Sequence, residues 1–133
     1  MNESFVPFNL AVKLKEKGFN RFCFTYFHKG EFKWIDGYLF YNTDDNDDIV
    51  AAPTISQVLK WLREEKKIYV DVLTFPSATS KEKVEYNVIV RYNSDCLSME
   101  DVSSAQSFKT WEEAATEGIK YCLNNLIYNE RSI

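Results

Sequence analysis

The chain predicts an α+β fold in the order α-β-β-α-β-β-α, a mostly antiparallel sheet with helices packed on one face, as a single domain over residues 1–133. Three observations carry this expectation. Thr54 and Thr110 each precede a run of apolar residues at helical spacing, with Gln57 and Glu113 three residues on, the pattern of a capping box. Val84, Tyr86, Val88, Val90 and Tyr92 alternate with Glu85, Asn87 and Arg91, the period of a strand with one buried face. The strand-like segments also fall in neighbouring pairs, which favours hairpin-linked antiparallel pairing under a layer of helices.

A length of 133 residues suits one domain of common size. Such a chain hides roughly two thirds of its unfolded surface, so it can build a core without metal or disulfide staples. Net charge is −4, from 20 acidic and 16 basic residues, which gives no general attraction to phosphate backbones. The three cysteines, Cys23, Cys96 and Cys122, show no metal-type spacing. No segment reaches the ~18 apolar residues of a membrane span, and Met1 to Lys17 lacks the apolar run of a signal peptide. The expectation is a soluble cytoplasmic protein with reduced thiols.

The elements follow in order. Asn9 ahead of Leu10, Ala11, Val12 and Leu14, with Gly18 beyond, predicts a short helix with an Asn cap and a glycine stop. Phe22–His28 and Phe32–Tyr41 predict two aromatic strands joined at Lys29-Gly30, with Gly37 marking a bulge in the second. Residues 42–48 form a polar, acidic loop. Ile55, Val58, Leu59 and Leu62 define the stripe of a second helix ending near Lys66. Ile68–Leu73 and Val84–Tyr92 are strands, separated by a polar connection from Pro76 to Lys83. Residues 93–107 are irregular, with a short edge strand near Cys96 to Met99. Trp111, Ala114, Ala115, Gly118, Ile119, Cys122, Leu123 and Leu126 form the stripe of the last helix, where Gly118 allows close approach to the sheet.

Candidate chemistry is sparse. An EF-hand begun at Asp44 places Asp44, Asn46 and Asp48 at ligand positions, but Ile49 stands where glycine is needed and Ile55 where glutamate is needed. Cys23 and His28 lie five apart, an odd spacing that points them to opposite faces of a strand rather than into a thiol–imidazole pair. Glu64-Glu65 and Glu112-Glu113 fall on outer helix faces, turned to solvent by their period rather than paired in a site. The four glycines are scattered and make no phosphate loop. These patterns predict no catalytic residue, no metal site and no cofactor.

Aromatic residues make up 16% of the chain; if helices cover only one sheet face, several rings must lie either in a second core or at a contact surface, and a large ordinary core is the competing expectation for any single ring. Trp34, Tyr38 and Trp61 are the candidates, Trp61 because it stands at the margin of its helix's apolar stripe. Two basic patches could grip nucleic acid, the stretch Lys13, Lys15, Lys17 and Arg21 and the cluster Arg63, Lys66 and Lys67, and the first is the one a nucleic-acid-associated regulator would use. The carboxy-terminal half has the element order of a double-stranded-RNA-binding domain, but Glu112 and Glu113 stand where such domains place basic residues.

Phe8 to Phe19 (FNLAVKLKEKGF), Ala52 to Glu65 (APTISQVLKWLREE) and Thr110 to Leu126 (TWEEAATEGIKYCLNNL) together resemble segments of small proteins carried by phages and mobile elements of Bacteroides-group bacteria. Those proteins share an F-x-L-x-x-x-x-K-x-x-G-F segment, an A-P-T-x-x-x-V-x-x-W-L-R-E helix and a closing Y/W-x-E-A helix. Here R-E-E-K-K-I stands where R-E-K-H-N-I is more usual, which removes a histidine. The resemblance implies a phage or mobile-element accessory protein and carries over no activity, cofactor or site residue. The expected function is therefore non-enzymatic, through contact with a protein partner or with a second copy, and away from membranes. A nucleic-acid-associated regulator and an enzyme with an unfamiliar site are the alternatives.

Overall fold

The computed structural model describes residues 4–34, 42, 48–77, 83–93, 95–97 and 107–127. The fold is α+β, with helices packed on antiparallel sheets. The strands form two three-stranded sheets, one with a short strand that the expected order lacks and the other completed by the edge strand expected near Cys96. By its internal contacts the chain divides into two compact units, Met1–Trp61 with Ile127–Ile133 and Leu62–Leu126. Each is described by itself.

In the first unit, α1 spans Phe8–Glu16. Its N-cap is Pro7 rather than Asn9. Asn9 lies inside the first turn, where its Oδ1 accepts a hydrogen bond from Leu10 N–H at 3.0 Å. Proline suits the start of a helix because the absent N–H would have had no partner there. The glycine stop holds. Gly18 takes φ of +89°, its N–H donates to the Lys15 carbonyl, and Phe19 N–H reaches back to the Leu14 carbonyl at 2.9 Å. That pair of bonds is a Schellman closure, which needs a residue tolerant of the left-handed region.

Strands β1 (Thr25–His28) and β2 (Glu31–Trp34) form the hairpin expected at Lys29-Gly30, although each is shorter than its aromatic run. Both turn residues have positive φ, +51° at Lys29 and +85° at Gly30, the type I′ geometry that matches the twist of a two-residue hairpin. The third strand, β3 (Ile49–Ala51), pairs antiparallel with β1 on its other side, giving the order β2-β1-β3. Thr25, Phe27 and Val50 share the buried face. Helix α2 (Ile55–Trp61) opens with the reciprocal capping box: Gln57 N–H donates to Thr54 Oγ1 at 3.1 Å, and Thr54 N–H donates to Gln57 Oε1 at 2.9 Å.

In the second unit a π-helical turn, Leu62–Lys66, leads into β4 (Ile68–Pro76), β5 (Val84–Tyr92) and β6 (Asp95–Leu97), an antiparallel meander in sequence order. The short edge strand expected near Cys96 is β6. Helix α3 (Trp111–Asn125) starts at Thr110, whose Oγ1 accepts from Glu113 N–H at 3.1 Å. Its expected stripe is the buried one, from Ala114 to Leu123. Gly118 sits against Val70 and Val88, so close that a Cβ there would stand 2.7 Å from one valine methyl and 2.8 Å from the other. Phe108 bridges to Tyr86 through reciprocal backbone bonds and completes the core with Val88 and Ala114.

Candidate interaction surface

The first unit gathers five aromatic rings at one side of its sheet. The hairpin register sets Phe27 opposite Phe32 and Thr25 opposite Trp34, so these four side chains project from one face. Phe5 joins them because its segment bridges antiparallel to Thr54, with Val6 N–H donating to Pro53 O and Ile55 N–H to Ser4 O. Phe8 arrives from the first turn of α1. The rings meet edge to face throughout: Phe5–Phe32 at 5.1 Å, Phe8–Phe27 at 5.3 Å, Phe27–Phe32 at 5.6 Å, Phe5–Trp34 at 5.9 Å and Phe32–Trp34 at 6.2 Å. That T-shaped geometry sets the positive edge of one ring on the negative face of the next and holds the cluster in shape.

Cover runs out across this cluster. Phe27 is buried, whereas Phe32 is 40% and Trp34 65% exposed, and Phe8 is also open. Beside Trp34 lies a recess of about 340 Å³ lined by Phe5, Phe24, Thr54, Gln57 and Lys60. Of the polar side chains that line it, Thr25, Thr54 and Gln57 are engaged within the chain, and Ser56 and Lys60 stand beside them. Thr25 Oγ1 donates to the Ala52 carbonyl at 2.6 Å, and Gln57 serves the capping box and also donates to the Phe22 carbonyl. What remains accessible is chiefly ring surface, suited to an apolar side chain rather than a polar small molecule.

The three candidate surface residues fare differently. Trp34 stands out as expected. Tyr38 lies outside the described residues, as do Gly37 and most of the acidic loop that suggested calcium. Trp61 is not a surface residue: it is 1% exposed, with its ring edge-on to Phe19 at 5.3 Å and 70°. The expected stripe was Ile55, Val58, Leu59 and Leu62, but the buried positions are Ile55, Val58, Trp61 and Leu62. Phe19, brought back by the glycine stop after α1, covers the flank that periodicity alone left open. Phe5 escaped notice because a lone ring near the start of the chain has no periodic signal.

The cysteines separate by environment. Burial pushes the Cys23 and Cys122 thiols up from the ordinary 9.0 to about 12, and Cys23 Sγ donates to the Arg21 carbonyl. A nucleophilic cysteine needs the opposite shift, and His28 is exposed on β1 while Cys23 is buried. Cys96 is exposed on β6. A maleimide or alkylating probe near pH 8 should therefore modify the folded protein at Cys96, and all three cysteines only in denaturant. Rapid native labelling of Cys23 or Cys122 by mass spectrometry would contradict this. Because the folded thiols hold their protons more tightly than the unfolded ones, their contribution to stability is whole below about pH 9 and is lost as pH rises toward about 12.

Among the described residues, no three His, Cys, Asp or Glu side chains are placed to hold a metal ion, and no helix is long and apolar enough to cross a membrane. The chain matches no protein-family model, no curated protein and no solved structure.

Proposed function

We propose that this chain is a non-enzymatic binding protein that acts through the aromatic surface around Phe32 and Trp34. One observation carries the reading: two large rings stand open on the outer strand of a sheet, buttressed by Phe5 and Phe27, which fix their orientation. Rigid aromatic anchors of this kind supply most of the energy at protein contacts, since they bury much area and lose little conformational freedom. The resemblance to phage and mobile-element proteins supports an accessory role for such an element in the cytoplasm of its host. The nucleic-acid reading draws less support, because Lys15, in the middle of the basic stretch, is 6% exposed and its Nζ donates to the Ile49 carbonyl at 3.1 Å.

The test is a tagged capture from host lysate with and without nuclease, comparing the wild-type chain with Trp34→Ala. A protein recovered in stoichiometric amount should survive nuclease and high salt, and Trp34→Ala should weaken its binding by on the order of thirtyfold. Recovery that vanishes with nuclease or salt would replace this reading with the nucleic-acid one.

A further inference from the structure

We propose that the occupant of this surface is a second copy of the chain, joined edge to edge through β2 in an antiparallel pairing centred on Phe32. The inference rests on the reading of this side of the sheet as an interaction surface and names its partner.

The backbone bonding identifies which groups are open. Lys29 N–H donates to Asp48 O and Ala52 N–H to Thr25 O, so the odd-numbered residues of β1 turn their backbone groups toward β3. Tyr26 and His28 therefore turn theirs toward β2, where they meet Lys33 and Glu31. The N–H and C=O of Phe32 and Trp34 are left pointing away from β1. Among the described residues no strand pairs with that edge. The far edge of the same sheet is closed by side chains: Ala51 N–H donates to Asn42 Oδ1 at 2.8 Å, and Lys15 Nζ donates to Ile49 O. Among the described residues, one edge of the sheet is capped and the other is open.

Charge then selects the partner and the register. Glu31 and Lys33 project from the face opposite Phe32 and Trp34, and within one chain their charged groups stand 3.3 Å apart. An edge lysine by itself opposes strand addition. Here the glutamate two residues earlier makes the strand complementary to itself. With a two-fold axis at Phe32, Glu31 faces the Lys33 of the second copy and Lys33 its Glu31, while the outward groups of the two Phe32 residues exchange both hydrogen bonds. Moving the register by two residues in one direction sets Lys33 against Lys33, and in the other Glu31 against Glu31. Moving it by one aims open groups at groups already used by β1. Of these registers only the Phe32-centred one satisfies both backbone and charge, and the symmetry closes on itself as a dimer. On the other face the two Phe32 rings come side by side, and the aromatic clusters of the copies become one strip.

The test is sedimentation equilibrium of the full chain with charge exchanges at these two exposed positions. Wild type should dimerise. Glu31→Lys and Lys33→Glu should each weaken the dimer by on the order of ten- to a hundredfold, because each sets like charges opposite one another twice. An equimolar mixture of the two variants should dimerise again, as should the doubly exchanged chain. That recovery excludes misfolding as the cause of the single losses. A monomeric wild type, a dimer indifferent to either exchange, or a mixture that stays monomeric overturns the inference. If the wild type is monomeric yet holds a nuclease-resistant partner that Trp34→Ala releases, self-pairing fails while the surface reading survives. If it shows neither dimer nor such a partner, both fail.

Discussion

Trp61→Ala should lower the stability of the folded chain by about 3–5 kcal/mol, the largest loss expected of any truncation in the first unit. The side chain is almost wholly buried, and its removal leaves a void whose depth depends on how far the neighbours can collapse. Phe19, the ring against it, has little freedom to do so. Its N–H is tied to the Leu14 carbonyl and its own carbonyl accepts from Asn42 Nδ2 at 3.0 Å, so backbone bonds pin it on both sides. The loss should therefore fall in the upper part of the range. Trp61→Phe, which keeps a ring for Phe19 to meet, should lose clearly less. Urea unfolding followed by circular dichroism measures both. A loss under about 1 kcal/mol for the alanine variant would mean that the ring does not fill a fixed space, and the account of Phe19 as its immobile cover would fall.

Gly118→Leu should destabilise the second unit by on the order of 3 kcal/mol or more. Even a single added carbon would collide with both Val70 and Val88, which belong to neighbouring strands held by a long hydrogen-bonded ladder. Valine is stiff about χ1 and cannot swing aside within a strand without moving backbone. Gly118→Ala makes the sharper comparison. Alanine gains about 1 kcal/mol of helix propensity over glycine but incurs overpacking of about 1–3 kcal/mol, so the net should be neutral to destabilising. Thermal unfolding of the pair decides. If Gly118→Ala raises stability by the full propensity gain, the close approach of α3 to the sheet is not a constraint on this position.

Legibility in the sequence followed the strength of local periodicity. Helix α3 and strand β5 were readable because a buried stripe or face repeats over many positions, although the ends depart from it: Val84 is exposed, and Trp111 and Leu126 are only partly buried. The capping box at Thr54 and the N-cap at Thr110 were readable because they are local bonds between residues three apart. Strand β3 was not, since three residues after an acidic loop carry no period, and what makes Ile49–Ala51 a strand is the distant β1. Of the candidate surface, Trp34 was named from the surplus of aromatic residues, and its exposure comes from its place on the outer strand, where every residue is exposed. The burial of Trp61 was not readable, because it depends on Phe19, far away in the chain. Phe5 reached the cluster through its bridge to Thr54, again a contact invisible to spacing. Local chemistry was visible, and long-range cover was not.

The connectivity also sets an order of events as the chain is made. In the first unit the β1–β2 hairpin closes over two residues and can form as soon as both strands exist, whereas β3 must travel back across the intervening segment before it can pair. The first part of this sheet to form is thus a small aromatic hairpin with both edges unpaired, at the stage when the chain is most prone to stick to its neighbours. The oppositely charged pair on β2 then acts as a filter during synthesis: it disfavours every misregistered encounter between nascent hairpins that sets like charges together.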